Sequence, residues 1–428
     1  MTSASALVAA SMIGVGVYTT SGYTLTTLGS PGAVIVAWIV GGLIAICGAA
    51  SYGTLAKRFT ESGGEYLFLS RSLHPVAGLM AGWVSLLSGF TGAIAIVAHG
   101  LETYLTPMLF DSSPLPSGTI AIAVVLAAAV LHTIGVQSAA RAQDVVVALK
   151  LLLIVGFIVY ALFQSDQWPG NASAAADSED SVSLLTFAQQ LVYISFSYLG
   201  FNAAVYIAGE IDQPKRNVPR SMLLGTLIVT VIYVALNAIF VLAPTFEVAT
   251  SEANRGQIAA VAAMAVGGQK FATLVSAVIV VSLFTSASAL VMTGPRVYAK
   301  MAEDGFFPRW FTFRDRPPAA AIWFQAAIAI IAISIANLKE LLGYLGLTLS
   351  VCSALTVCML FVLRWKGDLK RLPVFGIAPA LYVIATLVLA VLFGISEPKQ
   401  AIAAAVTVAA GLLVYPWVKN KQVTQPPR

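Results

Sequence analysis

Two apolar stretches of the chain carry glycine and small polar residues where a membrane helix would normally stay apolar. The first stretch runs over residues 5–27 and has Gly14 and Gly16 at its centre. The second runs over residues 184–208 and has Gly200 at its centre. A helix broken at these points exposes backbone N–H and C=O groups that lipid cannot satisfy but a polar ligand can. The chemistry that these residues suggest is recognition of a small zwitterion by backbone groups, not catalysis.

Each of the two stretches opens a block of five hydrophobic segments. Breaks at matching places in two halves of a membrane protein point to a binding site near the midplane. A half-helix that begins near Val15 and Gly16 would present free N–H groups and the positive end of its dipole to a carboxylate. The same stretch also suits close helix packing, because faces of small residues are common in membranes. These residues alone leave both interpretations open.

The composition predicts an integral membrane protein. Hydrophobic residues make up 58% of the 428 residues and charged residues only 10%, and the mean hydropathy is +0.87. A helix needs roughly 20 mostly apolar residues to cross the hydrocarbon core. Charge-poor segments of about that length occur at twelve places, which we number as spans 1 to 12: residues 1–27, 31–56, 75–101, 118–140, 145–165, 181–208, 221–246, 271–295, 317–338, 341–363, 372–396 and 400–418.

The placement of basic residues predicts the orientation. Twelve spans put both termini on one side, and 19 of the 24 basic residues fall on that side. Because short cytoplasmic loops carry the excess of Lys and Arg, we expect both termini to be cytoplasmic, in the cell membrane. The net charge of +5 is then a topology signal, and we expect a lipid bilayer and no nucleic acid as partner. The basic residues elsewhere are Arg255, Lys270, Lys339 and Lys399 on the other side and Lys150 inside span 5.

The sequence pattern offers no constellation for an enzyme or a metal centre. The three histidines are scattered, and Cys47, Cys352 and Cys358 all lie in spans without zinc-like spacing. A channel would be expected to repeat a filter or carry rings of charge, and neither occurs. We therefore expect no catalytic residues, no cofactor and no metal.

The paired breaks also predict the organisation of the chain, which we expect to be all-α. Spans 1–5 and 6–10 form two blocks, and an odd number of spans in each block forces the second block to be inverted. The expected units are residues 1–165 for the first repeat, 181–364 for the second, and 365–428 for a peripheral pair of helices with a cytoplasmic tail. The sequence leaves the oligomeric state open.

A resemblance to a known family supports this organisation. Residues 196–219, FSYLGFNAAVYIAGEIDQPKRNVP, resemble the helix-6 signature of the amino acid–polyamine–organocation (APC) permeases, closest in motif to bacterial members that are similar to L-type amino acid transporters. Residues 11–18 (SMIGVGVY), 57–66 (KRFTESGGEY) and 134–152 (IGVQSAARAQDVVVALKLL) agree with the same family. The resemblance covers spans 1–10 nearly continuously. It implies the leucine-transporter fold, a 5+5 inverted repeat with discontinuous helices 1 and 6, and a substrate held between helices 1, 3, 6, 8 and 10.

The resemblance also implies which backbone groups bind the substrate. Amides of the first break, chiefly those of Val15 and Gly16, would bind the carboxylate. Carbonyl groups of Met12, Phe196 and Leu199 would bind the ammonium, and Phe196 would also be the aromatic lid on the external side. Leu199 departs from the small or acidic residue that L-type relatives have there, which leaves the side-chain selectivity undecided.

Two residues after the second break match a tryptophan–asparagine pair of the L-type transporters. They are Phe201 and Asn202, which would line or support the pocket. The complete set of implied substrate-binding residues is Met12, Ile13, Gly14, Val15, Gly16, Phe196, Leu199, Gly200, Phe201 and Asn202.

Lys150 lies inside span 5, where an ionisable residue is costly and usually functional. One interpretation is that its side chain snorkels to the cytoplasmic interface. The resemblance implies a sharper one, in which this lysine faces helices 1 and 8 and takes the place of a bound sodium ion. Glu65 and Tyr66, in the loop after span 2, would belong to an internal gate, with simple solvation of the loop as the alternative.

The expected function is secondary active transport of a small, neutral L-amino acid by alternating access. Span 3 offers Ser85, Ser88, Gly89 and Ala93 at mid-depth and no acid to pair with a cationic side chain. Lys150 favours sodium-independent transport, either proton-coupled symport or exchange. The alternatives are a sodium-coupled symporter, a carrier of cationic amino acids or polyamines, and an amino-acid sensor. Sodium ligands would then be sought among Thr285, Ser286 and Ser288 of span 8, and the roles of His99 and Glu102 stay open.

Overall fold

The computed structural model describes residues 2–61, 63–110, 114–134, 139–168, 182–307, 309–312, 319–369, 372 and 376–422. Every regular element within these ranges is a helix, so the all-α class is confirmed. Residues 135–138, which belong to one of the stretches that resemble the APC permeases, lie outside the described residues.

Helices occupy each of the twelve predicted spans. Their bounds are Thr2–Met12 and Val15–Leu28 for span 1, Pro31–Arg58 for span 2, Pro75–Val84, Ser85–Gly92 (a π-helix) and Ala93–Leu109 for span 3, Thr119–Ile134 for span 4, Ala139–Phe163 for span 5, Leu184–Tyr198 and Ala203–Tyr206 for span 6, Pro214–Leu242 for span 7, Ile258–Glu303 for span 8, Ala319–Ile335 for span 9, Leu338–Trp365 for span 10, Ile377–Ser396 for span 11 and Pro398–Gln422 for span 12. Shorter helices lie between them at Gly64–Ser72, Ser165–Gln167, Ala208–Glu210, Phe246–Thr250, Arg255–Gln257 and Arg309–Phe311.

The lengths of these helices fit a multi-pass membrane protein. Seven helices within the described ranges are long and apolar enough to cross a membrane, and four more are apolar but shorter. Of the twelve spans, span 6 falls outside both groups within the described ranges. The sequence predicts that span 8 begins at residue 271, but its helix already begins at Ile258. The helix is kinked at Gly268, where φ is 73°.

Local sequence signals account for several helix ends. Gly29 ends span 1 in the left-handed conformation, with φ of 66°, and Pro31 then occupies the first turn of span 2. Asn337 and Glu340 form a capping box at the start of span 10, each side chain accepting a hydrogen bond from the backbone N–H of the other. These caps pair backbone N–H and C=O groups that lipid could not pair.

The contacts between spans form a regular pattern. Spans 1 and 6 touch, as do spans 2 and 7, 3 and 8, and 4 and 9. The contact of span 1 with 7 is matched by that of 6 with 2, and the contact of span 3 with 10 by that of 8 with 5. In the same way, 3 with 9 is matched by 8 with 4, and 2 with 10 by 7 with 5. In each matched pair, every span is replaced by its counterpart in the other block, so that span 1 corresponds to span 6, span 2 to span 7, and so on to spans 5 and 10.

The bundle has two ends that different loops close. At the end that we call the Glu65 end, where spans 2, 6, 8 and 10 finish, Arg58 pairs with Asp368 across 3.3 Å. At the opposite end, which we call the Arg255 end, the loop after span 7 packs on the second half of span 1. The two backbones are so close that a Cβ atom on Gly22 would lie 1.9 Å from the carbonyl oxygen of Arg255.

Candidate functional site

Span 1 is broken at the predicted glycines. Its first half-helix ends at Met12, and the second begins at Val15 after Gly14, whose backbone is extended (φ −130°, ψ −156°). The first N–H groups of this second half-helix have no intrahelical acceptor, as at any helix start. The N-cap residue, Gly14, has no side chain that could accept a hydrogen bond from them. The amide of Ile13 differs from its neighbours, because it still donates to the carbonyl oxygen of Ala9 at 3.0 Å. The amides open to a ligand are therefore those from Gly14 onward.

Span 6 is broken at the equivalent place in the second block. Its helix ends at Tyr198, Leu199 is extended (φ −62°, ψ 153°), and Gly200 has φ of 100°. Such a positive φ favours glycine, because a Cβ atom would be strained there. A Cβ atom on Gly200 would also lie 2.8 Å from the carbonyl oxygen of Ser11, so the two breaks are in direct contact.

Gly16 makes a second contact between the two broken spans. A Cβ atom on Gly16 would lie 2.3 Å from the hydroxyl of Ser197 and 3.0 Å from its Cα atom. This glycine therefore serves close helix packing as well as standing in the first turn after the break. Gly14 is different, since a Cβ atom there would have only the carbonyl oxygen of Met12 nearby, at 4.0 Å.

Tyr233 of span 7 joins the carbonyl ends of both broken helices. Its hydroxyl lies 2.6 Å from the carbonyl oxygen of Met12 and 3.0 Å from that of Ser197. The side chain is fully buried, and its ring packs edge-on against Trp38 at 5.3 Å between centroids. The sequence analysis missed this residue, and its one visible signal was a hydroxyl-bearing side chain in the middle of an apolar span.

Lys150 reaches the first break from span 5. Its ammonium group is buried, with 5% of the residue exposed, and donates a hydrogen bond to the carbonyl oxygen of Ile13. A cation is favourable there because the carbonyl end of a helix carries the negative end of the dipole. Within the described part of the chain, no carboxylate lies within ion-pair distance of this ammonium group.

The hydroxyl groups of span 8 that we considered as sodium ligands form hydrogen bonds whose donor is the hydroxyl or whose direction depends on a histidine tautomer, so their oxygen lone pairs remain available. Thr285 and Ser286 both donate to the carbonyl oxygen of Ser282, at 2.9 and 3.0 Å. The hydroxyl of Ser288 lies 2.8 Å from the ring nitrogen Nε2 of His132. All three side chains therefore make hydrogen bonds within the protein.

The two predicted phenylalanines of span 6 have different surroundings. Phe196 is half-buried beside span 10, where a Cβ atom on Gly346 would lie 3.5 Å from its Cβ atom. Phe201 is buried away from the break, with its ring 5.4 Å from that of Tyr52 and 6.1 Å from that of Tyr382. Its contacts are thus those of a supporting residue.

Span 3 meets the first break through a residue that the sequence analysis did not single out. Gly100 lies against Val15, and a Cβ atom on this glycine would come within 2.1 Å of the Cγ2 atom of Val15. Ser88, which we expected at mid-depth, instead forms a hydrogen bond of 2.8 Å with the hydroxyl of Tyr344 in span 10. Glu102 accepts the backbone N–H groups of Gly118 and Ile120 and so caps span 4.

Glu65 connects the second break to two other spans. The residue is 6% exposed, and its carboxylate accepts hydrogen bonds from Asn202 at 2.8 Å and Tyr206 at 2.5 Å. Tyr52 of span 2 donates to it at 2.8 Å, and Ser353 of span 10 lies at 3.5 Å. An ionised carboxylate only accepts hydrogen bonds, so four donors match it well.

Tyr66 continues this network towards span 8. Its hydroxyl donates to the carboxylate of Asp304 at 2.6 Å. Burial raises the pKa of Tyr66, and the neighbouring Asp304 raises it further. The hydroxyl therefore keeps its proton and remains a donor at neutral pH.

The fold and the two broken helices are features of a transporter, and the sequence matches a known family over nearly its whole length. Residues 1–416 match the profile of the amino acid permeases. The chain therefore belongs to the amino acid permease family of the APC superfamily, whose members are transporters and not enzymes. It is a multi-pass membrane protein that transports an amino acid.

Individual relatives cover most of the chain at modest identity. The serine/threonine exchanger SteT of Bacillus subtilis (strain 168) is 28% identical over 89% of this chain and 88% of its own length. The human large neutral amino acids transporter small subunit 2 is 25% identical over 93% of this chain and 76% of its own length. The mouse b(0,+)-type amino acid transporter 1 is 25% identical over 96% of this chain and 85% of its own length.

We expect Glu65→Gln to destabilise the protein. A glutamine amide keeps one acceptor oxygen for Tyr52 and Asn202, but it places an NH2 group where the Tyr206 hydroxyl now donates to the second carboxylate oxygen. A buried donor then loses its acceptor, at a penalty of about 1–3 kcal/mol. The measurement is the melting temperature of the detergent-purified protein. The matched control is Glu61→Gln, because Glu61 is 61% exposed and its carboxylate pairs with the exposed Arg71. Equal melting temperatures for the two variants would contradict the role assigned to Glu65.

Proposed function

We propose that this chain is a sodium-independent carrier of a small, neutral L-amino acid that works by alternating access. The observation that carries the proposal is the contact between two broken helices, which have protein donors at their carbonyl ends and no side-chain caps where they resume. Tyr233 and Lys150 bind the carbonyl ends, and no side chain caps the helix that begins at Val15. An uncapped helix N-terminus favours an anionic group such as a carboxylate.

In this proposal the amides from Gly14 to Gly16 bind the carboxylate of the substrate. The ammonium group binds the carbonyl oxygens of Leu199, Phe196 and Met12. Two of these already accept one hydrogen bond, from Leu199 N–H and from Tyr233 respectively, and each carbonyl oxygen has a second lone pair. Phe196 closes the external side of the site.

The pattern of contacts supports the leucine-transporter fold as an arrangement of two inverted repeats. Spans 1 to 4 each touch the corresponding span of the second block, and other contacts between the two blocks occur in matched pairs. On this basis we assign residues 1–165 to the first repeat, 181–364 to the second and 365–428 to the peripheral pair and tail. With both termini in the cytoplasm, the Glu65 end faces the cytoplasm, and Glu65 and Tyr66 form the internal gate.

The proposed site favours a neutral side chain. The carboxylate nearest to the break, that of Glu65, is already surrounded by donors from Tyr52, Asn202 and Tyr206. A cationic side chain would therefore be buried without a partner, which is costly. The names of two relatives, a serine/threonine exchanger and a large neutral amino acids transporter, agree with this choice.

Lys150 supports sodium independence. Its ammonium group donates to the carbonyl oxygen of Ile13 at the first break, where it would take the place of a bound sodium ion. Proton symport and amino acid exchange are both compatible with such a site. Exchange is favoured because the Bacillus relative is a serine/threonine exchanger.

We expect Gly14→Ala to weaken substrate binding without harming the fold. The fold should tolerate the new methyl group, because the nearest atom is the carbonyl oxygen of Met12 at 4.0 Å and the extended backbone at residue 14 suits any residue. The methyl group would, however, stand beside the amides that are proposed to bind the carboxylate. Loss of one charge-assisted hydrogen bond corresponds to about a tenfold or larger rise in Kd. Isothermal titration of the purified protein measures this. Gly156→Ala is the control, because nothing lies within 4 Å of a Cβ atom there, and equal affinities for both variants would refute the assigned carboxylate site.

Competition for uptake tests the substrate class. In proteoliposomes, unlabelled alanine, serine, threonine and leucine are compared with arginine, lysine and putrescine as competitors of the best labelled substrate. We expect the neutral amino acids to compete at concentrations at least about tenfold lower, because a buried unpaired cation is costly. Stronger competition by arginine or putrescine would favour the alternative of a cationic amino acid or polyamine carrier. Binding without any uptake would favour a sensor.

Ion replacement tests the coupling mode. Uptake is measured with sodium or choline outside, with and without a pH gradient, and with and without amino acid inside the vesicles. We expect equal uptake in sodium and choline, and stimulation by internal amino acid if the protein exchanges or by an inward proton gradient if it is a symporter. Lys150→Ala should lose this activity, because the carbonyl of Ile13 loses its donor. Sodium-driven accumulation by the wild type would overturn the role of Lys150.

A further inference from the structure

A cavity of about 480 Å³ opens at the Arg255 end of the bundle. It lies between the end of span 3, the loop after span 7 and the beginning of span 8. None of the residues that we assign to the substrate site lines it. Its volume falls within the range of about 300–1,000 Å³ that is usual for small-molecule sites.

The wall of the cavity contains a hydroxyl group that forms no hydrogen bond with the described residues. This group belongs to Ser276, which lines the cavity and is 6% exposed. Thr245 and Gln269, which also line the cavity, are further uncharged polar residues. A hydroxyl group removed from bulk water is normally hydrogen-bonded. The wall therefore offers a hydrogen bond to a ligand.

The rim of the cavity is apolar and exposed. Met108, Val248 and Met264 lie on it, with 38%, 47% and 43% of their surface exposed. Met108 and Met264 belong to the helices of spans 3 and 8, and Val248 belongs to the short helix Phe246–Thr250 that follows span 7. An apolar rim where these spans leave a bilayer would face lipid chains more favourably than water. A ligand that reaches the inner wall past these side chains would come from the bilayer.

The cavity also selects against charge. Its lining contains no Asp, Glu, Lys or Arg side chain among the residues that the structure describes. A zwitterionic amino acid or an ionised lipid headgroup would lose hydration there without a charged partner, which is unfavourable. An amide or hydroxyl of the wall can instead pair with an ester or a hydroxyl group.

We propose that this cavity binds an uncharged amphiphile that enters from the bilayer. Its hydrocarbon chain lies against Met108, Val248 and Met264, and its hydroxyl or ester group forms a hydrogen bond with Ser276. The site is independent of the transport function proposed above. Tyr104, which lies between this cavity and span 1, lines the cavity and donates its hydroxyl to the carbonyl oxygen of Tyr18 at 2.5 Å.

The test uses a monoacylglycerol with a photoreactive diazirine in its chain, added to proteoliposomes of the full-length protein. We expect labelled peptides from 244–276 to saturate with probe concentration and to be protected by unlabelled monoacylglycerol. Labelling of the lipid-facing part of span 5 should rise linearly over the same range. Linear, unprotected labelling of both regions would overturn the proposal.

Two variants sharpen this test. Ala265→Phe fills the cavity from its wall and should reduce the saturable labelling at least about fivefold. The control is Leu274→Phe, because Leu274 is 57% exposed on the same helix and does not line the cavity. Ser276→Ala should reduce labelling by the monoacylglycerol about threefold or more, with no change for a photoreactive alkane that cannot form hydrogen bonds.

Further probes identify the source of the ligand and its charge. A photoreactive phosphatidylcholine with the same chain reports whether a bilayer phospholipid can place its chain and ester in the cavity. Saturable labelling by the monoacylglycerol or by the phosphatidylcholine supports the site.

An ionised fatty acid and an alkylammonium with the same chain should label the cavity peptides at least about tenfold less. Equal labelling by the charged probes, or unchanged labelling of a folded Ala265→Phe variant, would refute the proposal. If Ala265→Phe fails to fold, protection by unlabelled monoacylglycerol in the wild type decides the question.

Discussion

The structure depends on how the protein satisfies backbone groups at two interruptions inside a membrane. Within lipid, each unpaired N–H or C=O group is costly, so a helix can be broken only where other groups take over its hydrogen bonds. Here the carbonyl ends receive donors from distant spans, with Tyr233 reaching both breaks and Lys150 reaching the first. The amide end at Val15 has no capping side chain. In the proposed function this uncapped end binds the carboxylate of the substrate.

The two breaks also differ in the sign of the buried charge attached to them. Lys150 donates to the carbonyl of Ile13 at the first break, and Glu65 accepts from Asn202 at the second. Because both side chains are removed from water, each depends on the hydrogen bonds that surround it. The partners of Glu65 belong to spans 2, 6 and 10. A motion of span 6 at this end must therefore exchange several hydrogen bonds together, which suits a gate with two discrete positions.

Glycine has two separate uses in this site. At Gly200 the backbone itself requires it, because φ is 100°. At Gly16 and Gly100 the backbone is helical, and the reason is space, since Ser197 and Val15 lie where a Cβ atom would stand. The two interpretations that the sequence left open for span 1 are therefore not alternatives. A broken helix must also be a closely packed one, because its partner helix supplies the enclosure that lipid cannot.

The sequence by itself determined the membrane class, the twelve apolar segments, the positions of both breaks and the presence of a lysine inside span 5. These are local properties, fixed by composition, segment length and the conformational freedom of glycine.

Only the tertiary structure decided which groups meet at the breaks. Tyr233 is 221 residues from Met12 in the chain, and Glu65 is 137 residues from Asn202. It also decided that the amide of Ile13 is already bonded and that Gly100, not the serines of span 3, meets Val15. The rotation of each span about its axis and its depth in the bundle set these contacts, and both result from packing between helices distant in sequence, which no local pattern encodes.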